Sequence, residues 1–371
     1  MLVAPTTTSA SVVADGPSRT HTSSAQVALV RQPASPRPGT LSIVAGIVGK
    51  CGLPTPGRAT SSELGAPIGL AFDNHGDLFI ADIANNMVEK VTPAGALSVV
   101  AGNGKDSITG PSSGSATASA LDSPIGLAVD ARGNLFIADE PTSVLKVTPA
   151  GTLSGAGSIQ PVYNKRFGED LIGELAGVAV DRTDDLFMVD QGNGVVDKLT
   201  ATGAFSVIAG NTEAGPPTPG LATHSALASP VGIALDAHGN VFIANLGSST
   251  VVKVTPAGVL SVVAGNGKEG RPRPGPAISS PLGAGPNGGP TAVAVDAHGD
   301  LFIADQYNEV VDEVNPAGTL SVVAGDGKQG RPTPGPATRS NLSWPRAVAV
   351  DSHGNLFIGD GLNCVVEKVT L

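Results

Sequence analysis

From residue 40 onward, apolar runs of about four to six residues alternate with turns built from Gly, Pro, Asp and Asn. Runs of this length bounded by turn residues predict short β-strands. Ile68–Asp73 (IGLAFD) is almost wholly apolar and predicts a strand buried on both faces, here termed a. Its side chains alternate, so Gly69 and Ala71 share one face while Ile68, Leu70 and Phe72 share the other. A small face can then pack closely against a neighbour's large face. Leu78–Ala81 (LFIA) predicts strand b, Met87–Thr92 (MVEKVT) strand c, and Leu97–Ala101 (LSVVA) strand d. In strand c, Glu89 stands between Val88 and Lys90, which places this strand nearer the outside. Asp73-Asn-His-Gly76 and Pro93-Ala-Gly95 are turn sequences, with an Asx or Pro start and a Gly for positive φ.

This four-strand unit repeats. The string DNHGDLFIAD at Asp73–Asp82 returns as DARGNLFIAD at 130, DRTDDLFMVD at 181, DAHGNVFIAN at 236, DAHGDLFIAD at 296 and DSHGNLFIGD at 351. The spacings are 57, 51, 55, 60 and 55 residues. Six four-stranded units at a near-constant period predict an all-β, six-bladed β-propeller of antiparallel strands. A solenoid is the structural alternative. It is disfavoured because a lone strand d, Leu41–Ala45 (LSIVA), precedes the first full unit, while the last unit ends after strand c, Val365–Thr370. One strand and three strands complete one blade, and joining them closes a ring that removes two sheet edges.

Composition agrees. The 371 residues include 49 Gly and 30 Pro, and only 15% are charged and 3% aromatic, which disfavours a helical bundle or coiled coil. No apolar run approaches the length of a membrane-spanning helix. A net charge of −10 and few Trp and Tyr residues argue against nucleic acid as a partner. Residues 1–39 are rich in Ser, Thr, Ala and Pro, share nothing with the repeat, and read as a disordered segment ahead of a propeller at 40–371. The apolar run Met1–Ala4 is too short for a secretory signal.

The strings PIGLAVDARGNLFIAD, LFIADQYNEVV and LSVVAGNGK resemble bacterial NHL repeats of the kind also found in teneurin-like propellers, and the resemblance covers about residues 40–371. It implies the propeller fold and an extracellular or cell-envelope location. Relatives commonly carry an acidic G-D-G stretch in the d–a connection. Here Pro54–Gly57, Pro217–Gly220, Pro272–Gly275 and Pro332–Gly335 replace it, which stiffens these segments. The resemblance extends to propeller lyases with a zinc-binding histidine set, which this chain does not repeat.

His75, His238, His298 and His353 occupy one place in four a–b turns, and equivalent turns fan outward around a ring, so they are read as turn residues. The repeated Asp73-type and Asp82-type aspartates read as local Asx hydrogen-bonding groups. A single site should break the repeat. The candidates are Asp122, Glu174, Trp344 and Arg346 around the start of strand a, with Tyr163 and Arg166 in the deviant connection entering the third blade. Lys268, Arg271 and Arg273, with Lys328, Arg331 and Arg339 one blade on, are either solvated charge or an anion site. Because strands c and d form a hairpin, Cys364 and Cys51 fall on one rim beside the closure and are a candidate disulfide.

Two functions follow. The first is a non-enzymatic binding propeller, monomeric, without a cofactor, that presents the rim of the d–a connections to a protein, small-molecule or carbohydrate partner. The alternative is a metal-assisted hydrolase or lyase of the lactonase-like type, needing Glu63, Asp122, Glu174 and Asn341 to converge at the channel mouth.

Overall fold

The computed structural model describes residues 39–106, 113–139, 143–155, 174–285 and 288–371. The expected leading segment, apart from Gly39, lies outside the described residues, as do Tyr163 and Arg166. Six antiparallel sheets form the blades of a propeller. Strand a lines the centre in each: Pro67–Phe72, Pro124–Val129, Leu175–Val180, Pro230–Leu235, Ala292–Val295 and Pro345–Val350. In the first blade, strands b, c and d are Leu78–Asp82, Met87–Val91 and Ala96–Ala101.

The ring closes in the last blade. There Thr40–Gly46 pairs antiparallel with Val365–Thr370, running from Thr40 opposite Thr370 to Gly46 opposite Val365. Cys51 and Cys364 are bonded across this seam, with Cα atoms 5.4 Å apart.

The blades pack through the asymmetry of strand a. Leu70 and Phe72 of the first blade meet Ala347 and Ala349 of the last, while Ala71 faces the second blade. Glycine is needed where inner strands touch: a Cβ on Gly69 would stand 2.2 Å from the carbonyl oxygen of Ile125, and one on Gly177 2.6 Å from that of Val231.

Five sheets carry a fifth, two-residue strand that the sequence does not announce: Gly57–Arg58, Gly114–Ser115, Gly220–Leu221, Gly275–Pro276 and Gly335–Pro336. Four of these glycines end the Pro-x-Pro-Gly stretches, and all five adopt φ between +132° and +144°, where a Cβ is unwelcome. Each short strand pairs with the outer strand d of the blade it enters, as Gly57 does with Leu97. The next residue, a buried Ala, donates its N–H to that blade's c–d turn: Ala59 to Gly95 and Ala222 to Gly258, both at 2.9 Å. Sequence reading places the d–a connections wholly on the rim of the b–c turns. Instead they descend the outer edge to the opposite rim and return, which covers an edge that would otherwise invite strand addition. The return is fixed by a repeated serine, where Ser62, Ser225, Ser280 and Ser340 accept backbone N–H groups at 2.8–2.9 Å.

Strand c is not the exposed strand the alternation suggests. Glu89, Asp197, Asp312 and Glu367 have no exposed surface. Their position is filled by Leu145 in the second blade and Val252 in the fourth.

Candidate functional site: the channel mouth

Strand b ends in Asp82, Asp139, Asp190, Asn245, Asp305 or Asp360, all buried. Their bonds reach further than a local Asx turn. Asp82 accepts N–H groups from Gly65 and Ala66, 2.6 and 2.9 Å away, and the side-chain amide of Asn85 at 2.8 Å. Asp360 accepts from Ser343 and Asn363 in the same manner. The strand-b acid thus ties the residues entering strand a to the b–c turn and holds the rim rigid. The Asp73-type acids behave as the sequence suggests: Asp73 Oδ1 accepts the N–H groups of His75 and Asp77 within its own turn.

Between the inner strands the channel is narrow, lined mainly by apolar residues such as Leu70, Leu127, Val178, Ile233 and Val348 around a space of about 100 Å³. At the b–c rim it widens to a mouth of about 250 Å³. Ile68, Ile125, Ala176, Val231 and Leu246 make its apolar wall, and Gln191, Thr291, Gln306, Tyr307, Trp344 and Arg346 add polar and aromatic groups. Trp344 is the chain's only tryptophan. Its ring centroid lies 6.0 Å from that of Tyr307, with the planes inclined at 48°. Trp344 precedes Pro345 and has φ +60°, a left-handed conformation that is uncommon for a bulky side chain. Two b–c turns hold it there. Its N–H donates to Glu309 Oε2 at 2.7 Å, and its carbonyl accepts the N–H of Gly361 at 3.1 Å.

The electrostatics of this sector are acidic. Burial pushes the Glu309 carboxyl up to about 7; the Trp344 N–H opposes this, and the neighbouring Asp360 and Asp305 add to it. Burial likewise pushes Asp305 and Asp360 up to about 6 against the hydrogen bonds they accept. Behind them, Asp312 and Glu367 are raised well above the usual carboxylate range, by burial first and then by the aspartate at the end of strand b.

The structure brings Trp344 and Arg346 to this mouth and, among the described residues, separates the other sequence candidates from it. Asp122 uses its backbone N–H to cap Asp139 and does not line the cavity. Glu174 is exposed, and its carbonyl receives the N–H of Gln191. Asn341 bonds Asp326 and Lys328 within its own loop, and Glu63 lies against Gly52. The four groups proposed for metal-assisted chemistry therefore do not assemble at the mouth. Arg271 of the basic cluster spans to the next connection and donates to the Gly327 carbonyl at 2.9 Å, so this guanidinium staples neighbouring loops. Sequence reading missed Gln191, Gln306, Tyr307 and Glu309. A comparison of b–c turns exposes them, since Gln191-Gly-Asn-Gly194 and Gln306-Tyr-Asn-Glu309 stand where other blades have Ile83-Ala-Asn-Asn86 or Leu246-Gly-Ser-Ser249.

The opposite rim carries a larger cleft of about 630 Å³ at the seam, lined by Phe72, Phe357, Lys368, His75 and His353. The two histidines therefore share a cleft, contrary to the expectation that such turns only diverge. The His75 side chain is nevertheless 84% exposed beside Asp73, and the Thr92–Gly95 wall repeats in other blades. In the fifth blade Asp296, His298 and Asp300 hold ligand-type atoms within 4.8 Å of one another.

No family model matches the chain, and no curated protein matches its sequence. Solved structures do. A Bacteroides thetaiotaomicron protein of unknown function aligns over 89% of this chain and 75% of its own, at 16% identity and TM-score 0.69. An auxiliary nutrient binding protein from the same organism aligns over 89% and 76%, at 14% identity and TM-score 0.66. A Xanthomonas campestris gluconolactonase aligns over 92% and 99%, at 14% identity and TM-score 0.55. These likenesses define the chain as a six-bladed β-propeller. They span binding proteins and enzymes, so the fold by itself selects neither.

Proposed function

We propose that this protein is an extracytoplasmic binding propeller of NHL-type repeats whose channel mouth takes a saccharide. The observation that carries this reading is the chain's single Trp, held at φ +60° in the mouth beside Tyr307. A tilted aromatic pair offers flat apolar faces to the C–H face of a sugar ring. Gln191, Gln306 and Thr291 supply amides and a hydroxyl for sugar hydroxyls, and Arg346 supplies a planar fork of donors. A mouth of about 250 Å³ lies just below the range of drug-sized pockets and suits one ring, with further rings left in solvent. Functional loops on a rigid scaffold are the usual arrangement for recognition. The Cys51–Cys364 bond supports an oxidising compartment, where such bonds persist. The auxiliary nutrient binding protein has, by its name, a binding role on the same fold.

The test is calorimetric titration with a panel of neutral and acidic mono- and oligosaccharides. One class should bind, and Trp344→Ala and Arg346→Ala should each weaken it tenfold or more with an unchanged melting temperature. Binding that survives both substitutions would remove the site from the channel mouth.

A further inference from the structure

Among the described residues a hydrogen bond between successive blades occurs at two equivalent junctions of the ring, with different partners at each. In the b–c turns, Asn86, Ser249, Glu309 and Cys364 are left-handed, with φ between 51° and 57°. In the segments entering strand a, Ser123, Ser229 and Trp344 are left-handed as well, with φ between 46° and 61°. From the first blade to the second, Asn86 Oδ1 accepts the N–H of Ser123 at 3.0 Å. From the fifth to the sixth, the same bridge runs from the Trp344 N–H to Glu309 Oε2 at 2.7 Å. Both partners differ at this bridge. A neutral amide has become a carboxyl, and a serine has become the tryptophan that lines the channel mouth.

We propose that Glu309 is the positioning residue of the channel-mouth site, and that its ionisation sets how firmly Trp344 is presented to ligand. The proposal rests on the binding reading above for its consequence, though not for its test. An ionised acceptor makes a shorter hydrogen bond of roughly twice the strength of a neutral one. Trp344 occupies a strained backbone conformation next to Pro345, so the strength of that bond decides how completely the conformation is held. Protonation of Glu309 replaces the charged acceptor by a neutral carboxyl, and Trp344 loosens.

The surroundings place this change near neutrality. Burial and the two acids facing Glu309, Asp360 on strand b of the sixth blade and Asp305 on strand b of the fifth, raise its carboxyl to about 7, while the Trp344 N–H favours the charged form. Asp312 and Glu367 stand behind these aspartates, and burial first, then the neighbouring aspartate, raises both well above the usual carboxylate range. Tyr307 shares the turn, Arg346 follows Trp344 on strand a, and Cys364 is in the disulfide and does not titrate. A purely structural cap would not need a carboxyl here, since Asn86 shows that an amide oxygen makes the same bridge.

The test uses Trp344 itself, the sole tryptophan, in the ligand-free full chain. Its emission maximum and acrylamide quenching are followed from about pH 5 to about pH 9, below the ordinary range of tyrosine. The wild type should show one transition near pH 7, with Trp344 more readily quenched on the acid side. Glu309→Gln, which retains an amide acceptor as in Asn86, should fold and lose the transition. Asp360→Asn should move the midpoint down, because it removes a like charge. A flat profile in the wild type, or an unchanged transition in Glu309→Gln, overturns the proposal. Because no ligand is present, failure of the saccharide screen would leave this result standing, and a binding protein with a flat profile would refute only the latch.

Discussion

Cys51 and Cys364 are 313 residues apart in sequence and bonded across the seam where the first described strand meets the last. The bond lies at the end of the closure where strand d leaves the blade. It joins the residues that follow Gly46 to the left-handed turn that opens Val365–Thr370. A loop of this length constrains the unfolded chain by up to about 5 kcal/mol in the chain-entropy account. Cys364→Ser should therefore lower the melting temperature by several degrees in non-reducing buffer, and dithiothreitol should bring the wild type down to the variant. Equal melting of the oxidised, reduced and substituted proteins would show that the hydrogen-bonded seam suffices alone.

The seam itself has a separate test. Leu41 has no exposed surface and belongs to the core shared by the fifth and sixth blades. Leu41→Ala should cost about 2–5 kcal/mol, like other large-to-small core changes. Removing residues 1–46 should do more, since it strips the sixth blade of its outer strand and exposes the edge of Val365–Thr370. Denaturant unfolding checks both, and a truncated chain with wild-type stability would contradict the closure.

Buried acids make stability depend on pH in a direction opposite to that of most salt-bridged proteins. The Asp360 carboxyl titrates at 3.8 when unfolded and at about 6 when folded, chiefly because it is buried. Between those values the folded state binds more protons, so stability is fully present below about pH 4 and is lost as pH rises through about 6. That one group corresponds to on the order of 3 kcal/mol. Glu89, Asp312 and Glu367 shift in the same sense, by burial first. Thermal unfolding should show higher melting in mild acid than at about pH 8.

The protein itself supplies the apolar alternative. Val252 and Leu145 occupy the position of Asp312 and Glu89 in other blades. Among the described residues, neither the Glu89 nor the Asp312 carboxyl bonds a side chain or backbone of another residue. Asp312→Val and Glu89→Leu should each stabilise the chain at about pH 8 by roughly 1–4 kcal/mol and flatten its pH dependence. Loss of stability in both variants at that pH would mean that these acids hold a partner when ionised.

The propeller was legible because each blade repeats the same apolar strands and turn residues, and because Leu41–Ala45 and Val365–Thr370 are complementary fragments of one blade. The short fifth strands were not legible, since Gly57–Arg58 carries no apolar pattern and is defined by backbone pairing alone. Glu89 misled for a related reason. Alternation of Val88, Glu89 and Lys90 normally signals one wet face, whereas blades packed on both sides bury Val88 and Glu89 alike. Trp344 and Arg346 could be singled out as departures from the repeat. Tyr307 and Glu309 sit in the same kind of departure one blade earlier, and only the folded ring shows that the two turns meet at one mouth.

The most direct measurement of the central claim is acrylamide quenching of Trp344 with and without the saccharide selected by titration. A ring lining an open mouth should be quenched readily in the free protein, and saturation with ligand should protect it, while Arg346→Ala requires correspondingly more ligand for the same protection. A Trp344 that quencher cannot reach in the free protein, or whose quenching is unchanged at saturating ligand, would contradict a binding site at the channel mouth.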